Sequence, residues 1–237
     1  MTSDAVQRRL RAPLKRQALE IIVRRGIHIG TVLDVGVLHG TRELRAQFPR
    51  ALHMLFEPVV EFNATIAKRY SDTPHELVNV AISDRTGETL LVLEQVVDVP
   101  GLDFSHSHVA SEAPEGKVHR TVPMTTLDDF LRGRDLAGPY LLKIDIDGHE
   151  LAAIAGATET LKRCAVVIVE AQVSELPQRL AAIASQGFVL FDLVEPCYYD
   201  RALWQCDAVF LREDVHRRHF ADLAVDFDRA KYEIFKG

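Results

Sequence analysis

Short β-branched or aliphatic runs alternate along this chain with segments whose apolar residues recur at helical spacing, a pattern that predicts an α/β layout around a parallel sheet. Leu14, Ala18, Ile21 and Ile22 fall on one face of a first helix that Gly26 can close. The runs at 32–35, 53–57, 76–82, 140–144 and 165–169 read as strands. Helices are expected over 41–48, around Val60, Ala64, Ile66 and Ala67, from Thr126 as N-cap, over 150–161, and from Ser174 as N-cap to Gly187. Residues 85–88 form a turn into a strand over 89–94, whereas 98–120 shows no period over most of its length and reads as a substrate lid loop. The last two runs, 188–194 and 208–211, have no room between them for the usual helical crossover and should pair antiparallel.

The resulting fold class is α/β and Rossmann-like: a mostly parallel seven-stranded sheet with an antiparallel C-terminal hairpin strand and helices on both faces, the layout of the class I methyltransferase fold. At 237 residues and 47% hydrophobic, the chain fits one domain over 1–237, with residues 1–30 as an N-terminal helical segment. A net charge of -6 gives no electrostatic reason to expect nucleic acid as a partner. Arg8, Arg9, Arg11, Lys15 and Arg16 are the local exception and read as a solvated helix face. Three cysteines without C-x-x-C spacing suggest neither disulfides nor zinc, and point to the cytoplasm. The N-terminus lacks the apolar core of a secretory signal, and no uncharged apolar run reaches the roughly 18 residues of a membrane span. The oligomeric state stays open, a homodimer included.

Ligands of parallel α/β sheets sit outside the carboxyl ends of the strands, so the acidic residues that end these runs should face one crevice. Asp34-Val35-Gly36-Val37-Leu38-His39-Gly40 has the form D-x-G-x-x-x-G, in which Gly36 and Gly40 let the backbone approach a ligand. The dinucleotide fingerprint G-x-G-x-x-G is absent, and Asp34 suits a cofactor with a positive amino group, such as S-adenosylmethionine. Glu57 ends the second strand about 20 residues after the glycines, where a ribose diol is gripped in such folds; Ala81 and Ile82 would flank the adenine. Asp145, Asp147, His149 and Glu150 crowd the end of the fourth strand, with Glu170 ending the fifth. So many acids invite a partner, Mg2+ or the sulfonium itself. Asp145, Asp147 and His149 are the catalytic candidates, and His106 and His108 of the lid are candidate substrate contacts.

The sequence resembles the FkbM family of S-adenosylmethionine-dependent methyltransferases. Asp34-Val35-Gly36, Phe56-Glu57-Pro58, residues 79–84, Thr126-Leu127-Asp128-Asp129, residues 142–150 and Val167-Ile168-Val169-Glu170 carry the likeness, across about 32–211. Two positions depart from it: the family continues Asp-Val-Gly with Ala-Asn where Val37-Leu38 stands here, and it has Glu at Asp147. The resemblance implies O-methylation of a hydroxyl on a sugar, oligo- or polysaccharide or related natural product. His149 is then the candidate general base, and Asp145 with Glu170 a candidate Mg2+ pair. Two rivals stand beside this reading: an NAD(P)-dependent oxidoreductase, which the missing glycines disfavour, and an inactive cofactor-binding module, which the retained Asp145, Asp147 and His149 disfavour.

Overall fold

The computed structural model describes residues 11–95, 106–113, 115–222, 225 and 227–235. Its main sheet is mixed. β1 (Thr31–Val35) pairs in parallel with β2 (Leu52–Phe56) and β8 (Tyr140–Ile144), and β3 (His75–Val78) and β9 (Cys164–Gln172) continue the parallel pairing outward. β11 (Ala202–Arg212) runs antiparallel to both β9 and β10 (Phe188–Tyr199), giving seven strands in the order β10-β11-β9-β8-β1-β2-β3.

β1 and β8 are buried along their whole length, which is why they read as unbroken apolar runs. Strand alternation divides their side chains between two cores. Leu33, Val35, Leu142 and Ile144 face α4 (Leu127–Leu131), α5 (Glu150–Ala155), α6 (Thr158–Lys162) and α7 (Leu176–Ala184); Val32 and Leu141 face α1 (Lys15–Arg24), α2 (Arg42–Gln47) and α8 (Glu213–His219). α1 ends as its sequence suggests: Gly26 has φ +76°, its N–H donates to the Val23 carbonyl at 2.9 Å, and Ile27 N–H reaches Ile22 at 3.2 Å. Thr126 caps α4, its Oγ1 accepting from Asp129 N–H at 2.9 Å.

Four expectations are corrected. The strand expected over 76–82 is two strands in different sheets, because the Asn79 amide donates to the Glu57 carbonyl at 2.7 Å and turns the chain after Val78. β4 (Ala81–Ile82) instead joins a second sheet, ordered β4-β7-β5-β6, with β5 (Gly87–Glu94), β6 (His106–Ala110) and β7 (Val118–Thr125). The expected lid loop is therefore largely strand where it is described, while 98–105 and 114 lie outside the described residues. The helix over 150–161 is broken at Gly156, where a Cβ would lie 2.0 Å from the Ser83 carbonyl oxygen. Asp128 restarts it as α6, accepting from Glu159 and Thr160 N–H at 2.9 and 2.8 Å. Finally, Ser174 is not the N-cap of α7, which Glu175 precedes without a side-chain cap bond.

Candidate active site

The ends of β1, β2, β8 and β9 open into one cavity of about 670 Å³, roofed by β5 and β6 and rimmed by Trp204 and Gln205 of β11. Gly36, Gly40, Glu57, Ala81, Ile82, His106, His108, Asp145, Asp147 and Glu170 all line it. Asp34 and His149 do not.

Asp34 lies beneath the cavity floor, fully buried, and neither carboxylate oxygen has a hydrogen-bond partner. Its neighbour is Lys143, whose Nζ stands 3.4 Å from Asp34 and 3.0 Å from Asp145 and donates to the Gly36 carbonyl at 3.3 Å. Desolvation works against this buried ammonium, but Asp145 and Asp34 outweigh it and hold the lysine charged. Asp34 is thus a counter-ion below the site, in place of the direct cofactor contact expected. Gly36 has φ +81°, and a Cβ there would meet the Asp145 carbonyl oxygen at 1.8 Å. The glycine thus lets the chain just after β1 pack against the chain just after β8 at the edge of the cavity. Leu38 adopts φ +50°, a conformation that Asn takes more readily than Leu.

Glu57 is nearly buried, and its two oxygens accept from Leu38 N–H at 2.7 Å and Val59 N–H at 2.9 Å. One carboxylate therefore clamps the loops after β1 and β2 and still offers lone pairs to the cavity. Burial pushes its pKa up to about 7, against the pull of those two N–H donors.

The opposite wall is a chain of charges. Glu170 donates to Asp145, accepts from the Gln205 amide at 2.8 Å, and lies across the β9–β11 pairing from Asp207, which Lys15 meets at 2.6 Å. Desolvation and the neighbouring Asp145 and Asp207 push Glu170 up to about 9. Desolvation also works to raise Asp145, but Lys143 and Lys15 prevail and hold it below the usual carboxylate range. The two carboxyls titrate as a pair, joined by the hydrogen bond between them. Lys15, read from sequence as part of a solvated face, is a wall of the cavity. Arg11 and Arg16 of the same stretch are paired with Asp192 and Glu20, and Arg8 and Arg9 lie outside the described residues.

Asp147 stands at the mouth, in the left-handed region at φ +50°. Asp accepts this conformation more readily than the Glu of the family pattern. Although the residue is exposed, partial desolvation of its carboxylate, helped by Asp145, raises its pKa, with His106 and His108 pulling the other way and Ser107 N–H of β6 donating to it. Its loop is held from behind: buried Glu150 accepts from Ile146 and Gly148 N–H, each at 3.1 Å, and pairs at 2.6 Å with buried Arg179, which donates to the Glu170 carbonyl at 2.8 Å. His149, one residue earlier, turns away from the cavity to meet Ser83 Oγ at 2.8 Å. Burial lowers its pKa.

Fold and site define an α/β protein with a cavity at its strand ends, walled by carboxylates and two lysines. Residues 34–190 match the family model of the FkbM methyltransferase domain. The chain belongs to this family. Its structure is similar to that of a methyltransferase FkbM from Methylobacillus flagellatus (17% identity, TM-score 0.49), covering 84% of this chain and 48% of that one. It is also similar to an rRNA methylase from Streptococcus thermophilus (11% identity, TM-score 0.48, 86% of this chain and 98% of that one). A third similar structure is Aeropyrum pernix fibrillarin with bound S-adenosyl-L-methionine (10% identity, TM-score 0.42, 81% and 76%). This chain thus spans about half the length of the Methylobacillus protein. No curated protein matches it. No helix among the described residues is long and apolar enough to cross a membrane.

Proposed function

We propose that the chain is an S-adenosylmethionine-dependent O-methyltransferase of the class I methyltransferase fold, acting on a hydroxyl of a sugar or related glycosylated product. One observation carries this reading. A single cavity joins Glu57 and the apolar wall of Phe56, Val80, Ala81 and Ile82 to the acids at the ends of β8 and β9. The seven-stranded order with β11 alone reversed supports the fold assignment.

The donor set fits the cofactor. Glu57 would accept from the ribose hydroxyls, the apolar wall would flank the adenine, and His39, which lines the cavity, keeps a buried Nε2 without a protein partner. When bound, S-adenosylmethionine supplies an electrophilic methyl group. Asp147 is the general base of this proposal. Its carboxylate stands at the mouth with a raised pKa and takes the acceptor's hydroxyl proton as that oxygen gains the methyl. His149 loses the base role expected from sequence, because its ring is engaged with Ser83 outside the cavity.

Calorimetric titration should give micromolar affinity for S-adenosylmethionine and its demethylated product, and no binding of NAD(P); the reverse preference rejects the reading. Glu57→Ala should weaken cofactor binding by about 1.5–3 kcal/mol, the value of hydrogen bonds to a charged group. Only the ionised form of Glu57 accepts from both hydroxyls, and its folded pKa is about 7. Cofactor affinity should therefore fall as pH drops below 7 and level off above it, and Glu57→Gln should abolish that dependence. A flat profile in the wild type removes Glu57 from the contact.

Asp145 and Glu170 do come together, but the pair does not fit Mg2+. Asp145 is already neutralised by Lys143 and by the proton it shares with Glu170, and Gln205 holds the other Glu170 oxygen. No group of three His, Cys, Asp or Glu side chains among the described residues has the geometry to hold a metal ion. EDTA should leave turnover within about twofold of its untreated value, since no ligand set would be emptied. Loss of activity restored by Mg2+ would return the metal to Asp145 and Glu170.

A further inference from the structure

Lys15 lines the cavity wall, and nothing in the proposed chemistry uses it. It opens α1 and is held from several sides. Its backbone N–H donates to Glu195 Oε1 at 2.7 Å, the preceding Pro13 carbonyl accepts from Glu195 N–H at 2.8 Å, and its Nζ meets Asp207 at 2.6 Å. Glu195 takes φ +52° where β10 slips register against β11 between Val194 and Cys197, so a bulge presents both its N–H and its carboxylate to the start of α1. An ammonium has three N–H donors. Lys143 spends its own on Asp34, Asp145 and the Gly36 carbonyl, whereas Lys15, only 13% exposed, has Asp207 alone as a partner among the described residues. The remaining donors of Lys15 are free for whatever fills the cavity.

The loop after β1, by contrast, has little to give an anion. The N–H groups of Gly36, Leu38 and Gly40 are taken by the Phe56 carbonyl, Glu57 and the Val37 carbonyl, and neither Val37 nor Leu38 has a polar side chain. The end of β8 lies two strands from that of β2, about 10 Å across the sheet. A nucleoside whose ribose meets Glu57 and whose base meets Ala81 and Ile82 therefore leaves its amino-acid arm for the β8 end of the cavity. We propose that Lys15 donates to the carboxylate of the methionyl arm of S-adenosylmethionine and so selects a cofactor that carries this group. The contact rests on the cofactor reading and deepens it. Lys15 acts through space on the Asp145 carboxylate, so a cation and an anion share the wall, the complement of an arm that bears a carboxylate and an ammonium. Lys15, Glu195 and Asp207 all fall outside residues 34–190, so the two flanks of the chain add this contact to the matched domain.

The test is calorimetric titration of the intact protein with S-adenosylmethionine and with its decarboxylated form, S-adenosylmethioninamine, which differ by the carboxylate alone. The wild type should bind the carboxylated nucleoside about 10- to 100-fold more tightly, the worth of a hydrogen bond between charged groups. In Lys15→Met that ratio should fall to within about threefold. Lys15→Met/Asp207→Asn removes one charge of each sign, so neither a stranded aspartate nor a changed net charge accounts for a loss seen there. In this double variant the ratio should again fall to within about threefold, while affinity for the decarboxylated nucleoside stays within about threefold of the wild type. A ratio that survives in the double variant overturns the contact, as does a ratio near unity in the wild type. So does a ratio abolished by Arg69→Met, an exposed arginine that also lines the cavity, and kept by Lys15→Met. All three results leave the cofactor reading standing. Failure of the wild type to bind either nucleoside strikes that reading itself and takes the contact with it.

Discussion

Asp147→Asn should lower kcat by about 10²–10⁴-fold, the range for loss of a positioned general base, with S-adenosylmethionine affinity nearly unchanged. The asparagine keeps the size of the side chain and tolerates φ +50°, so the loop shape survives and only the proton acceptor is lost. In the wild type the side chain is exposed at the cavity edge, yet partial desolvation of its carboxylate raises the pKa above the ordinary value, so kcat should fall as pH drops through that raised pKa. The acid limb should vanish in Asp147→Asn. His149→Ala supplies the contrast: its ring meets Ser83 outside the cavity, so kcat should stay within about fivefold, the cost of a disturbed helix start. The measurement is a pH–rate profile of the three proteins with an acceptor found by array screening. A near-normal Asp147→Asn beside a disabled His149→Ala would restore the imidazole as base.

Those two residues also mark how far the sequence could be read. Glu57, Asp145 and Glu170 were legible because each follows an apolar run buried on both sides, and a parallel strand has one carboxyl end. Past the strand end that rule lapses. Asp147 and Gly148, at φ +50° and +96°, swing the chain so that Asp147 meets the cavity and His149 leaves it, a choice no spacing encodes. The roof was illegible for a different reason. β6 is partly exposed throughout and reads His-Ser-His-Val-Ala, without the alternation that betrays a strand; only its pairing with β5 makes it one. Lys15 sits in a basic stretch that composition assigns to solvent, and its distant partner Asp207 decides otherwise. The closing hairpin was expected from its two runs but not its length, because its turn, Asp200-Arg201, lacks the Asn-Gly or Gly signature of two-residue turns.

Lys143→Met should destabilise the fold by about 3–5 kcal/mol, the cost of removing one partner of a buried ion pair and leaving its counter-charge behind. Asp34 is the charge left behind: it is fully buried, has no hydrogen bond, and has Lys143 as its ion-pair partner. At about 2–4 °C per kcal/mol for a chain of this size, Tm should drop by roughly 6–20 °C. The pH dependence should change sign as well. In the wild type Asp145 has a depressed folded pKa, so its contribution is present above the unfolded value of 3.8 and is lost as pH falls through the folded one. In the variant Asp145 loses the nearer of its two lysines, so desolvation and Glu170 push its folded pKa up. Once that pKa lies above the unfolded value, its contribution is present at low pH and lost as pH increases. Lys143→Met should therefore gain stability between pH 8 and pH 5, where the wild type changes little. Adding Asp34→Asn should recover about 2 kcal/mol of the loss, a coupling that distant sites do not show. Chemical denaturation of the wild type, Lys143→Met, Asp34→Asn and the double variant across pH measures all three quantities. A loss under about 1 kcal/mol with no change in slope would reject Lys143 as the counter-ion of Asp34 and leave it serving Asp145 alone.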